Sequence, residues 1–324
     1  MKAAIVTGAG KAPIYADFDA PQAAPGEVVI DVAAAALSHV TKARAAGSHY
    51  SSSHIYPFVV GLDGVGGLPN GERVYFLLPR APFGGMAERT VVNASHCVPV
   101  PDRLDDVTAA AIANPGMSSW AALKERARLM PGENVLVNGA TGSSGRLAVQ
   151  IARRLGAKKI VATGRDGGVL NSLAGLGADV TISLLQDGDA LDAAFGEQFG
   201  GDGIDIVLDY LWGPSAERLL GAAAKSGKDA APIRFVQIGS IGGQTLPLAA
   251  TTIRSSGLQL IGSGIGSVPF ARMCNAIAEL FQAAAAKRFE LACKTVPLAD
   301  VTSHWAMDSA AVRTVFLTER ARNG

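Results

Sequence analysis

Residues Val135 to Gln150 read VLVNGATGSSGRLAVQ. An apolar run of strand character leads into a glycine-rich turn, and the turn into the helix-like segment GRLAVQIARRLG. The glycines stand at 139, 142 and 145, a GxxGxxG spacing. A strand, a glycine turn and a helix in that order open a βα unit, and the units that follow repeat the alternation. From Asn134 the apolar runs NVLVNG, KIVATG, DVTISL, IDIVLDY, IRFVQIG and LQLIGSG are separated by helix-like segments. Runs apolar on both faces belong to parallel strands covered by helices on both sides. Six of them predict an α/β fold, a Rossmann-type doubly wound parallel sheet.

In such a turn Gly142 lets the main chain approach a pyrophosphate, and Gly145 lets helix and strand pack closely. The free N–H groups and the positive dipole end of the helix beginning near Ser143 then face the phosphates. Ala140, Thr141, Gly142, Ser143, Ser144 and Gly145 are therefore the first candidates for cofactor binding. Roughly twenty residues after the glycines, an acidic side chain at the end of the second strand binds the ribose 2′-hydroxyl in NAD-binding folds. Here the position holds Gly164-Arg165, with Asp166 one step beyond. A guanidinium at Arg165 suits a 2′-phosphate and favours NADP; Asp166 either caps the following helix or binds the ribose. Gly239-Ser240 in VQIGSIGG and Ser263-Gly264 in IGSG end later strands and have the composition of turns.

Before this region, residues 2–114 carry short Val-rich runs broken by Gly and Pro, the rhythm of a β-rich domain. The segment SHVTKARAAG interrupts it as one helix, capped by Ser38 and stopped by Gly47, and the glycines of GLDGVGGLPNG mark tight turning. DDVTAAAIANPGMSSWAALKERARLM predicts two helices broken at Asn114-Pro115-Gly116. A long helix follows Pro269, and the strands of LACKTVPL and VRTVFLT rejoin the first domain. The expected domains are thus 1–115, completed by 269–324, and 116–268.

Composition narrows the function. The 324 residues are 48% hydrophobic and 18% charged with a net charge of +1, so the chain carries ample core material and no basic stripe for nucleic acid. Cys97, Cys274 and Cys293 stand apart and fit a reducing cytoplasm, and the opening MKAAIVTGAGKAPIYADF reads as neither a signal peptide nor a membrane span.

The stretch from Val135 to Asp166 resembles the AxxGxxG cofactor motif of the zinc-independent medium-chain dehydrogenases/reductases, the quinone oxidoreductase branch, on Ala140, Gly142 and Gly145. MKAAIVTG, APGEVVIDVAAAAL, PFVVGLDGVG and FGGMAERTVV extend the resemblance over most of the chain. It implies a GroES-like catalytic domain beside the Rossmann domain, an active site in the cleft between them, Gly239 and Ser240 close to the nicotinamide with Ser263 and Gly264 nearby, and a homodimer with LQLIGSG as its edge strand. Zinc-dependent relatives place ligands where this chain has Ser38, Leu62 with Asp63, and Asn114, so no zinc is expected. The histidines His39, His49 and His54 lack the spacing of paired ligands. Without a Lewis acid, the expected chemistry is hydride transfer from NADPH to an activated small molecule, a quinone or the C=C of an α,β-unsaturated carbonyl. Ser38, Thr41, Tyr50, Asn114 and Ser118 are the candidates to line the acceptor and its developing oxyanion. Alternatives are an enoyl-thioester reductase and a non-catalytic NADPH-binding protein.

Overall fold

In the computed structural model, the structure describes residues 1–49, 52, 55–307 and 312–319. The chain divides into two compact units, Met1–Asn114 with Ile277–Gly324, and Pro115–Ala276.

The first unit is β-rich. Its strands are β1 (Lys2–Val6), β2 (Ile14–Asp17), β3 (Glu27–Ala36), β4 (Phe58–Val59), β5 (Asp63–Gly67), β6 (Arg73–Leu77), β7 (Arg89–Asn93) and β8 (Cys97–Pro99). Helix α1 (His39–Ala45) lies between β3 and β4, and Gly47 follows it with φ +75°. A glycine there closes the helix, donating its N–H to the Arg44 carbonyl at 3.1 Å. The larger sheet runs β3-β5-β6-β8 in antiparallel pairs, and two C-terminal strands complete it on the other side of β3. Ala4, Val6, Leu37, Met86 and Phe316 belong to one of its buried clusters.

Of GLDGVGGLPNG, residues 68–72 do turn tightly, with Gly71 at φ +87°, but Asp63–Gly67 is the strand β5 within that sheet. Glycine is used there for close approach. A Cβ on Gly64 would stand 2.8 Å from the Phe76 ring, and one on Gly66 would stand 2.3 Å from the Asp31 carbonyl oxygen.

Helix α2 (Asp106–Ala121) is likewise continuous where two helices were expected, with Pro115 inside it. Pro115 brings no N–H for the Ala111 carbonyl, a local cost. Packing outweighs it, since Thr108 to Ala113 are all buried. The helix closes in a π-helical turn over Ala122–Arg126, where the Ala127 N–H reaches the Ala122 carbonyl at 2.8 Å.

The second unit holds six parallel strands, β9 (Asn134–Asn138), β10 (Lys159–Gly164), β11 (Val180–Ser183), β12 (Ile206–Asp209), β13 (Ile233–Gln237) and β14 (Leu258–Gly262). Their order is β11-β10-β9-β12-β13-β14, the reversal about the first strand that marks a doubly wound sheet. Between them run α3 (Ser143–Arg154), α4 (Gly167–Ser172), α5 (Gly188–Gly200), α6 (Gly213–Ser226) and α7 (Ala250–Arg254). Leu136, Val161, Val207 and Phe235 of the strands pack with Phe195, Phe199 and Leu219 of the helices. Helix α8 (Phe270–Ala286) leads back to the first unit, where α9 (Val301–His304) lies between β15 (Cys293–Pro297) and β16 (Arg313–Leu317). β16 pairs with β3, so the C-terminal strands join the β-rich unit.

Candidate functional site

The carboxyl ends of the parallel strands gather the predicted cofactor residues. Strand β9 ends at Asn138, and Gly139 turns the chain with φ +90° before α3 begins. A Cβ on Gly145 would lie 2.3 Å from the Gly139 carbonyl oxygen and 2.5 Å from Ala140 Cα, so the helix seats on the turn only because that side chain is missing. Gly142 differs. It is the N-cap of α3 with φ −81°, and a Cβ there meets no atom within 4 Å. No side chain caps the helix, whose first-turn N–H groups point towards the carboxyl end of the sheet by helix geometry.

Gly164 and Arg165 come to the same place from β10. The Ala140 N–H donates to the Thr163 carbonyl at 2.7 Å, and a Cβ on Gly164 would stand 2.3 Å from Thr141 Cγ2. Arg165 is exposed. Asp166 is the N-cap of α4, its carboxylate accepting from the Val169 N–H at 3.0 Å. Gly239 and Ser240 follow β13, and a Cβ on Gly239 would stand 2.6 Å from the Tyr210 carbonyl oxygen. Ser263 follows β14 and donates its N–H to the Gln237 carbonyl at 2.8 Å; Gly264 donates to Ser267 Oγ at 2.7 Å.

Beneath these turns lies a polar network that motif reading passed over. Thr163 Oγ1 donates to Asn138 Oδ1 at 2.7 Å and accepts from the Gly139 N–H at 3.2 Å. Asn138 Nδ2 in turn donates to Asp209 Oδ1 at 2.8 Å and to Ser215 Oγ at 3.0 Å. All three of Asn138, Thr163 and Asp209 are fully buried at the ends of three neighbouring strands. The Asp209 carboxylate also accepts from the N–H groups of Leu211 and Trp212. Burial pushes its pKa up, and the Asn138 amide and the two backbone donors pull it back. Trp212 sits at φ +57°, ψ −162°, a backbone region almost confined to glycine, and Asp209 ties that residue down. A polar residue closing each of three apolar strands was the signal available in the sequence.

The acceptor-lining candidates separate. Ser38 caps α1, accepting from the Thr41 N–H at 3.0 Å, and its hydroxyl meets Thr41 Oγ1 at 2.8 Å, both residues buried. Asn114 and Ser118 are one helical turn apart in α2 rather than at a helix break. Ser118 Oγ donates to the Pro115 carbonyl at 2.8 Å and stands beside the buried Tyr210 hydroxyl, which burial pushes up to about 12. Tyr50 and His54 lie outside the described residues.

A parallel sheet of this order with a glycine turn at its first crossover defines a Rossmann-type protein. The family model described as zinc-binding dehydrogenase matches residues 145–283. A probable NADPH-dependent quinone reductase of Emericella nidulans is 29% identical, over 94% of this chain and 96% of that one. The solved quinone oxidoreductase of Thermus thermophilus, described also in its complex with NADPH, is 27% identical with a TM-score of 0.79 over 98% of this chain and 100% of that one. A phenolphthiocerol/phthiocerol polyketide synthase of Mycobacterium tuberculosis is 32% identical across 55% of this chain, which spans only 8% of that much longer protein. In sequence and fold the chain is similar to the medium-chain dehydrogenases/reductases, above all to their quinone oxidoreductase-like branch.

The family model's description carries zinc, and the described residues offer no donor set of the kind that metal takes. Ser38, Leu62 and Asn114 lie outside the matched span, and among the described residues no three His, Cys, Asp or Glu side chains group to hold a metal. Among the described residues no helix is long and apolar enough to cross a membrane.

Proposed function

We propose that the protein is a zinc-independent, NADPH-dependent oxidoreductase that transfers hydride to a quinone or to the activated C=C bond of an α,β-unsaturated carbonyl. The observation that carries this reading is the β9–α3 turn, where Gly145 seats the helix and Gly142 leaves its N-terminus open. Ala140, Thr141, Ser143 and Ser144 frame the pyrophosphate, whose charge the N–H groups and dipole of the α3 N-terminus stabilise. Gly239, Ser240, Ser263 and Gly264, at the same end of the sheet, line the nicotinamide half. Bound NADPH supplies the hydride. The hydroxyls of Ser38, Thr41 and Ser118 and the amide of Asn114 are assigned to the acceptor's oxygen, where a donor hydrogen bond stabilises developing charge. Relatives named as NADPH-dependent support the cofactor. A homodimer joined at β14 is part of the proposal, supported by that strand's place at the sheet edge and its exposed Leu260.

The choice of NADPH over NADH rests on Arg165. Its neighbour Asp166 is engaged in capping α4, which leaves the exposed guanidinium for the 2′-phosphate. Arg165→Ala is expected to lower kcat/KM for NADPH by about 2 kcal/mol, roughly thirtyfold, while sparing NADH. Steady-state kinetics with both cofactors and a panel of quinones and enones checks it; equal losses for both cofactors would overturn the assignment.

Dialysis against a strong chelator should leave NADPH-dependent enone or quinone reduction intact, while simple alcohols are not oxidised at a useful rate. An unactivated alcohol needs its proton removed first, whereas an electron-poor acceptor takes hydride before the proton. Elemental analysis showing stoichiometric zinc, with activity lost on chelation and restored by the metal, would refute the zinc-independent mechanism. The match to polyketide synthases favours a second reading, reduction of an enoyl thioester. Turnover of a short enoyl thioester far above every quinone and free enone in the same panel would select it.

A further inference from the structure

The first unit contains a recess of whose lining the reductase reading assigns only Thr41. Phe58, Leu62, Pro82 and Phe83 are among its lining residues. Three polar side chains, Thr41, Arg44 and Ser52, also line it, and two of them have no hydrogen-bond or ion-pair partner among the described residues. Arg44, on the last turn of α1, is half-buried there, and burial lowers its pKa with no anion to offset the loss. Among the described residues nothing accepts a hydrogen bond or forms an ion pair with its guanidinium, and no acidic side chain lines the recess. The second group is the hydroxyl of Ser52, buried and, among the described residues, without a hydrogen-bond partner. Arg44 also holds the pKa of His49 down, in addition to the effect of that residue's own burial, so the uncompensated positive charge is felt by its neighbour.

A charge withdrawn from water without a partner is costly, and a hydroxyl left unpaired adds to the cost. A single anion satisfies both groups. We propose that this recess is a binding site for a small carboxylate with an apolar tail: the carboxylate pairs with Arg44 and accepts from Ser52, and the tail lies against Phe58, Leu62 and Phe83. One guanidinium and one hydroxyl match a singly charged carboxylate, whereas a phosphate brings a second charge and a third oxygen that nothing here meets. The Thr41 hydroxyl, which bonds Ser38 Oγ at 2.8 Å and is assigned to the acceptor, is not needed for the carboxylate, and its presence makes the recess a neighbour of the acceptor's residues.

The test is a calorimetric titration of the full chain with butanoate and with its uncharged isostere butanamide, without cofactor or acceptor. Its outcome is therefore independent of the reductase reading. Butanoate is expected to bind at least about tenfold more tightly than butanamide, an interval of about 1.4 kcal/mol. Arg44→Met should abolish that preference without lowering the melting temperature, because it removes an unpaired half-buried charge. Arg44→Lys should retain part of it, and Ser52→Ala should weaken butanoate several-fold. Equal binding of the two probes, no binding of butanoate, or an Arg44→Met variant that folds and keeps the wild-type preference would overturn the site. If Arg44→Met does not fold, unchanged butanoate affinity in both Arg44→Lys and Ser52→Ala would do so. The acid's source is read in a reductase assay with added butanoate. Competition with the acceptor assigns the carboxylate to the acceptor itself, and inhibition or activation without competition assigns it to a separate small acid.

Discussion

A Gly142→Val chain is expected to melt like the wild type while its affinity for NADPH falls by about a hundredfold or more, roughly 3 kcal/mol. The backbone at Gly142 has φ −81°, ordinary for any residue, and a Cβ there meets no atom of the protein within 4 Å. The valine therefore costs the fold little, and its branches occupy the space through which a pyrophosphate approaches the α3 N-terminus. Gly145→Ala, three residues on, should do the reverse. Its Cβ would stand 2.3 Å from the Gly139 carbonyl oxygen, so helix and turn must separate, at a cost of about 3 kcal/mol in stability. Chemical denaturation and NADPH titration of the two variants separate the roles. Wild-type NADPH affinity in a folded Gly142→Val chain would end the phosphate-cradle reading.

The other large effect concerns Asp63 of β5. This carboxyl is buried in the β-rich unit, with Oδ2 accepting from the Tyr75 hydroxyl at 2.7 Å and Oδ1 without a partner. Burial pushes its pKa from the usual 3.8 to about 6, against the pull of the Tyr75 hydrogen bond and the Arg313 charge. Between those two values the folded chain holds a proton that the unfolded chain has lost. Asp63 therefore favours folding fully below pH 3.8, and that contribution disappears as pH rises through about 6. The interval corresponds to about 3 kcal/mol. Asp63→Asn cannot ionise, so the stability difference between wild type and variant should move by about that amount in the variant's favour from pH 3.8 to pH 7. Urea denaturation across that range gives both profiles, with the other titrating groups cancelling in the difference. Parallel profiles would show that Asp63 does not titrate as its burial requires.

The parts of this protein legible in its sequence are those whose causes are local. Strand VLVN, the glycines at 139, 142 and 145, and the helix-like segment GRLAVQIARRLG sit within one βα unit, and their chemistry follows from backbone geometry and periodicity. The six apolar runs told the sheet for the same reason, as each reads as a strand buried on both faces. Ser38 as a helix cap and Gly47 as its stop are equally local.

Tertiary packing decided the rest. Pro115 breaks a helix in isolation, yet α2 runs through it because the buried residues before it reward continuity more than one lost hydrogen bond costs. The glycines of β5 resemble a turn until Phe76 and the Ala34 and Asp31 carbonyls come close, contacts that strand pairing alone creates. Asn138 meets Asp209 across 71 residues, and Arg44 shares a recess with Phe83. A linear reading carries the identity of such side chains but not which of them water will leave and which partner, if any, they will find; burial makes that choice, and burial is a property of the folded chain.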